Sequence, residues 1–89
     1  MAWKIEFDYR ALKELKKFSK NDQREIIDYL NNKVSPLEDA TSLGKPLVGN
    51  KAGLWRYRVG KIRIISLIQG KTFTILVIRI AKRDKVYDD

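Results

Sequence analysis

Trp3-Lys4-Ile5-Glu6-Phe7-Asp8 alternates apolar and polar residues, the two-residue period of a half-buried strand. From Tyr9 the period lengthens: Ala11, Leu12, Leu15 and Phe18 recur at helical spacing, with Lys13, Lys16 and Lys17 turned outward. Ser19 to Asp22 interrupts this helix and supplies capping side chains for a second one. The second helix carries Ile26, Ile27, Leu30 and Val34 on its apolar stripe and stops before Pro36. Two short helices with a tight connection predict an antiparallel helical hairpin. Residues 35–53 form a long connection containing Pro36, Gly44, Pro46, Gly49 and Gly53. A loop of that length in a small domain is either functional or partly ordered against the core. Three strands are predicted beyond it, at 54–59, 62–68 and 72–80, with tight turns at Gly60-Lys61 and Gly70-Lys71. The last of them is apolar almost throughout, which predicts a central strand covered on both faces. The order β-α-α-β-β-β predicts one α+β domain over residues 1–89, its helical hairpin packed on a mainly antiparallel four-stranded sheet.

Composition narrows the chemistry. The 89 residues include no cysteine and no histidine, which removes disulfides, thiol nucleophiles, the usual general base and the commonest metal ligand together. Hydrophobic residues make up 44% and charged ones 34%, the balance of a folded domain. No apolar run approaches the roughly 20 residues that span a bilayer, and no signal peptide precedes Trp3, so a cytoplasmic protein without a membrane partner is expected.

Charge adds a direction. Lys and Arg number 19 against 11 Asp and Glu, a net charge of +8. Residues 1–50 hold nine basic and eight acidic side chains, whereas residues 51–89 hold ten and three. An excess confined to one half of the chain points to a polyanion-facing surface, with a solubilising face as the alternative. If the hairpin turns at Gly60-Lys61, Val59 faces Ile62, Arg58 faces Arg63, Tyr57 faces Ile64 and Arg56 faces Ile65. Alternation then puts Trp55, Tyr57 and Val59 on one side and Arg56, Arg58 and Arg63 on the other. Opposed like charges repel across a strand pair, and a multiply charged anion would turn that repulsion into attraction. The alternative is that these arginines merely solvate an exposed face. A further basic group, Lys82, Arg83 and Lys85, follows the last strand, then Tyr87, which either stacks on a nucleobase or seals the core edge.

The stretch Gly53-Leu54-Trp55-Arg56-Tyr57-Arg58-Val59-Gly60-Lys61-Ile62-Arg63-Ile64-Ile65 resembles the central motif of the RelE/ParE toxin superfamily. Ala81-Lys82-Arg83-Asp84-Lys85-Val86-Tyr87 resembles the C-terminal motif of its RelE branch, and residues 7–15 and Gly44-Lys45-Pro46-Leu47 fit as well. The resemblance implies a fold like that of microbial ribonucleases and the toxin of a type II toxin–antitoxin pair. It also implies entry into the ribosomal A site, cleavage of mRNA there, neutralisation by an antitoxin whose C-terminal segment wraps the toxin, and repression of the operon by the complex on operator DNA. The family's functional positions fall on Arg56, Arg58, Arg63, Arg83 and Tyr87.

RNA can be cut without metal or other cofactor when its own 2′-hydroxyl attacks the adjacent phosphorus. Arg63 and Arg83 are then candidates for stabilising the phosphorane charge, because fixed guanidinium donors need little reorganisation. Arg56, Arg58, Lys61 and Lys85 are candidates for holding flanking phosphates, and Tyr87 for orienting the nucleotide. Arginine stays protonated, whereas a lysine is able to give up a proton, so Lys82 is the candidate for proton transfer together with Tyr87. The alternatives are a ParE-like toxin that inhibits DNA gyrase without nuclease activity, and a degenerate toxin kept as a regulatory partner. A chain this basic predicts an acidic antitoxin segment that folds on contact.

Overall fold

Asp8 ends the first strand and starts the first helix in a single step. In the computed structural model, which describes residues 2–47 and 53–82, β1 spans Lys4–Phe7 and α1 spans Tyr9–Lys16. Asp8 between them is extended, and its carboxylate accepts the Arg10 backbone N–H at 2.7 Å. Ser19 repeats the device for α2, Lys20–Asp28, its hydroxyl accepting the Asp22 N–H at 3.1 Å.

The second helix then widens into a π-helical turn over Tyr29–Val34, and the Ser35 N–H donates to the Leu30 carbonyl at 2.8 Å. The apolar spacing explains the change. Ile26, Leu30 and Val34 lie four residues apart, and each such step advances about 40° round an α-helix. A wider turn takes back part of that drift, so all three stay fully buried. Leu12 and Ile27, expected on the apolar stripes, lie at the rim and remain 37% and 38% exposed. Two helices on one small sheet leave a core narrower than the stripes.

The predicted hairpin strands are present as β3, Leu54–Val59, and β4, Ile62–Gln69, with β5 at Thr74–Lys82. A further strand precedes them: β2, Lys45–Pro46, pairs with β3, so among the described residues the sheet has five strands in the order β1-β5-β4-β3-β2. Among the described strands only the β1–β5 pair is parallel. β5 occupies an interior position, as its apolar run predicts. It starts at Thr74 rather than residue 72 because the turn is a 3₁₀ segment, Gly70–Thr72, followed by Phe73 at φ 48°. The Trp3 ring packs on Phe73 with centroids 5.2 Å apart.

Helix residues Ala11, Leu15, Ile26, Leu30 and Val34 share one core with Tyr57, Ile62, Ile64, Ile75, Val77 and Ile80 of the sheet. That cluster fixes which face of the sheet the helices cover. The long connection is partly ordered against the same core: the Tyr57 hydroxyl donates to the Ala40 carbonyl at 2.5 Å, and the Trp3 indole N–H to the Leu37 carbonyl at 3.1 Å. No helix among the described residues is long and apolar enough to cross a membrane.

Candidate nucleic-acid interface

The β3–β4 register agrees with the sequence reading at every position named: Val59 opposes Ile62, Arg58 opposes Arg63, Tyr57 opposes Ile64 and Arg56 opposes Ile65. Tyr57, Ile62 and Ile64 belong to the helix-covered core. Alternation therefore sends Arg56, Arg58 and Arg63 to the opposite face. Their exposure differs. Arg58 is exposed, Arg56 is half-buried, and Arg63 retains only 5% of its surface. Arg63 is thus the floor of the cationic patch, with Arg56 and Arg58 at its rim.

Two cations that the sequence reading did not assign join this face. Lys45 is the direct partner of Arg56 through β2. Arg79 on β5 opposes Ile65, diagonal to Arg63. The first was hidden because two residues ending in a proline carry no strand pattern. A signal for Arg79 was present: it is the one charged side chain within the apolar run 73–81. Its environment is distinct from that of the others. Arg79 Nε donates to Glu14 Oε2 at 3.1 Å, while Glu14 Oε1 accepts the Ile80 N–H at 2.8 Å, and Arg10 Nε lies 4.0 Å from the same carboxylate.

The arrangement creates two opposed like-charge pairs in adjacent ladders, Lys45–Arg56 and Arg58–Arg63. Such pairs destabilise a sheet by roughly 0.2–1 kcal/mol each. The backbone beneath them is held firmly. Tyr57, between Arg56 and Arg58 in the chain, points into the core, is fully buried, and meets the Tyr29 ring edge-on at 6.3 Å. Burial pushes the Tyr57 hydroxyl well above its ordinary pKa, and the neighbouring Tyr29 and Asp39 add to the shift. The hydroxyl therefore stays a hydrogen-bond donor rather than becoming an acid or base.

Lys61 is exposed at the hairpin tip, in the turn where Gly60 adopts φ 59°. The register does not bring Lys82 to the arginine face. It opposes Ile62, so alternation sets it on the helix side, where it lines a groove of ≈ 510 Å³ with Lys17, Phe18, Asp22 and Ile80. Arg83, Lys85 and Tyr87 lie outside the described residues. Among the described residues no group of three or more Asp or Glu side chains is arranged to hold a metal ion.

The fold has solved counterparts. The RelBE2 toxin–antitoxin complex from Mycobacterium tuberculosis contains a chain that superposes with a TM-score of 0.84 at 22% identity, covering 93% of both chains. The archaeal RelE–RelB complex from Pyrococcus horikoshii gives 0.68 at 22% identity over 97% of this chain and 100% of the other. The isolated E. coli RelE toxin gives 0.63 at 18% identity over 96% and 88%. No curated protein sequence matches the chain. The sequence profile of the ParE toxin of the type II toxin–antitoxin system ParDE matches residues 5–87. With nearly its whole length matched by that profile and its RelE-like sheet carrying the cationic motif on the helix-free face, the chain belongs to the ParE toxin family of type II toxin–antitoxin systems, within the RelE/ParE superfamily.

Proposed function

We propose that this toxin is a ribosome-dependent endoribonuclease that cleaves mRNA in the A site and so inhibits translation. The observation that carries this reading is the opposition of Arg58 and Arg63, flanked by Arg56, on the face the helices leave uncovered. A phosphate backbone suits this group of cations, because guanidinium forks match phosphate oxygens.

The chemistry needs no group from outside the RNA and the protein. The 2′-hydroxyl oxygen attacks phosphorus and the bond to the 5′-oxygen breaks, giving a cyclic 2′,3′-phosphate and a free 5′-hydroxyl. One proton leaves the 2′-oxygen and one reaches the departing 5′-oxygen. Arg63 and Arg83 stabilise the phosphorane charge, Arg56, Arg58, Lys61 and Lys85 hold flanking phosphates, and Tyr87 orients the nucleotide. Positioning of the RNA by the ribosome supplies much of the acceleration. The helix-side position of Lys82 argues against its taking the proton at the arginine face, leaving Tyr87 as the candidate for proton transfer.

The toxin's partner in this reading is a cognate antitoxin whose acidic C-terminal segment wraps the basic protein, the complex repressing its own operon on operator DNA. Solved neighbours include RelB–RelE complexes, and the net charge of +8 suits an acidic segment. Its setting is the cytoplasm, where ribosomes and messages are.

Single-turnover cleavage on ribosomes programmed with a defined message tests the nuclease. Wild type cuts within the A-site codon, and Arg63→Ala, checked for folding by circular dichroism, slows the cut about 10²–10³-fold. A second reading is favoured by the family profile, which is that of ParE: inhibition of DNA gyrase without nuclease activity. Gyrase inhibition in a supercoiling assay, with the message left intact, would replace the first reading by the second.

A further inference from the structure

We infer that Glu14 is a charge lock: it holds Arg79 as a neutral pair, so that the β5 end of the cationic face offers no free charge to a polyanion. The inference rests on the phosphate reading above and names the residue that limits it. Alternation alone would not set Arg79 on this face. Ile75 and Val77 point into the helix-covered core, and a strict two-residue period would carry Arg79 in after them. The register shifts at that point. Ile65 opposes Arg79 whereas Ser66 opposes Val77, so Ile78 is the extra residue of a β-bulge. The bulge reverses the alternation, and Ile80 takes the core position instead, 1% exposed. One inserted residue thus turns a cation out of the core and onto the side of the sheet that carries Arg63.

The carboxylate that meets Arg79 is not accounted for by its own helix. Glu14 lies in the last turn of α1, where the helix dipole favours cations. Its intrahelical neighbour Arg10 precedes it by four residues, the weaker orientation of such a pair, and stays 4.0 Å away. Its contacts to β5 are closer: one oxygen accepts Arg79 Nε at 3.1 Å and the other accepts the Ile80 N–H at 2.8 Å. The two side chains keep only 30% and 20% of their surface, so salt screens this pair less than an exposed one. Acid is scarce here. Residues 9–20 hold Arg10, Lys13, Lys16, Lys17 and Lys20 against Glu14 alone, and that single carboxylate is committed to Arg79. Arg79 is diagonal to Arg63 across adjacent strands, a separation of about 7–8 Å that lies within the Debye length at physiological salt. A bare guanidinium there would extend the field of the face and capture free single strands. Paired with Glu14, it does not, and binding comes to depend on what the ribosome adds. Glu14 is therefore a specificity residue that acts through Arg79.

The test is the salt dependence of binding to a fluorescent single-stranded oligothymidylate, which carries phosphates but no 2′-hydroxyl to react. Each variant is first checked for folding by circular dichroism. Glu14→Gln keeps an acceptor for the Ile80 N–H and frees the charge of Arg79. It binds about two- to threefold tighter at low salt, and its slope of log affinity against log salt is steeper by about 0.7. Arg79→Gln keeps the Glu14–Ile80 bond and leaves a bare carboxylate, so it binds more weakly than wild type. The double variant returns to the wild-type slope, whereas a purely structural role for Glu14 would weaken binding in every variant that loses it. Equal, steep slopes for wild type and Glu14→Gln, or weaker binding by folded Glu14→Gln, overturn the lock and leave the phosphate face standing. Flat slopes throughout remove both. Unequal slopes in a toxin that leaves the message intact on ribosomes keep the lock and remove the nuclease.

Discussion

The carboxylate of Glu14 on the first helix accepts the backbone N–H of Ile80 on the last strand at 2.8 Å. β1 reaches only as far as Val77 along β5, so the edge beyond it needs another acceptor, and a helix side chain supplies it. The same carboxylate receives Arg79, so one residue ties α1 to the sheet and fixes a cation of the arginine face.

Removing that carboxylate is costly in two ways. Glu14→Ala is expected to lose about 1.5–3 kcal/mol of stability, because a charge-assisted bond to a part-buried N–H is lost. Glu14→Gln keeps an acceptor for Ile80 and loses about half as much. Urea unfolding of both variants measures the difference; equal losses would mean that the charge on Arg79, rather than the Ile80 bond, dominates.

Tyr57 predicts an alkaline limit to stability. Its folded pKa is raised above the ordinary 10.0 by burial first, then by Tyr29 and Asp39, so the unfolded state releases the proton at lower pH than the folded state does. The stabilisation is complete below about pH 10 and is lost as pH rises above it. Tyr57→Phe leaves the Ala40 carbonyl without its donor, costing about 1–3 kcal/mol at neutral pH, and flattens the decline above pH 10. Denaturant midpoints measured from pH 8 to about 11 read both effects. An unchanged alkaline slope in Tyr57→Phe would remove Tyr57 as its source.

Ser66 is fully buried, opposite Trp55 and Val77, and its hydroxyl has no hydrogen-bond partner among the described residues. Ser66→Ala is therefore expected to raise stability by about 1 kcal/mol, since the desolvation of an unsatisfied hydroxyl outweighs one lost oxygen's packing. A calorimetric melting temperature below that of wild type would contradict this.

The alternating and helical periods of the chain carried most of the fold. Register was legible from Gly60-Lys61, because a tight turn fixes which residues face each other and hence where Arg56, Arg58 and Arg63 go. β2 was not legible, because Lys45–Pro46 is too short for periodicity and its pairing depends on the absence of a side chain at Gly44. The π-helical turn was hidden for a related reason: it follows from packing of Leu30 and Val34 against the sheet rather than from local preference. Lys82 was chosen on chemical grounds, as a residue able to move a proton, and one residue of alternation decides which face it serves.

The most direct measurement of the cationic face is the salt dependence of toxin binding to ribosomes programmed with a message made uncleavable by a 2′-deoxy sugar in the A site. The expected result is a steep linear fall of log affinity with log salt concentration for wild type, and a slope shallower by about one for Arg58→Gln. A nearly flat response in wild type, or identical slopes in the two proteins, would contradict the assignment of this face to phosphates.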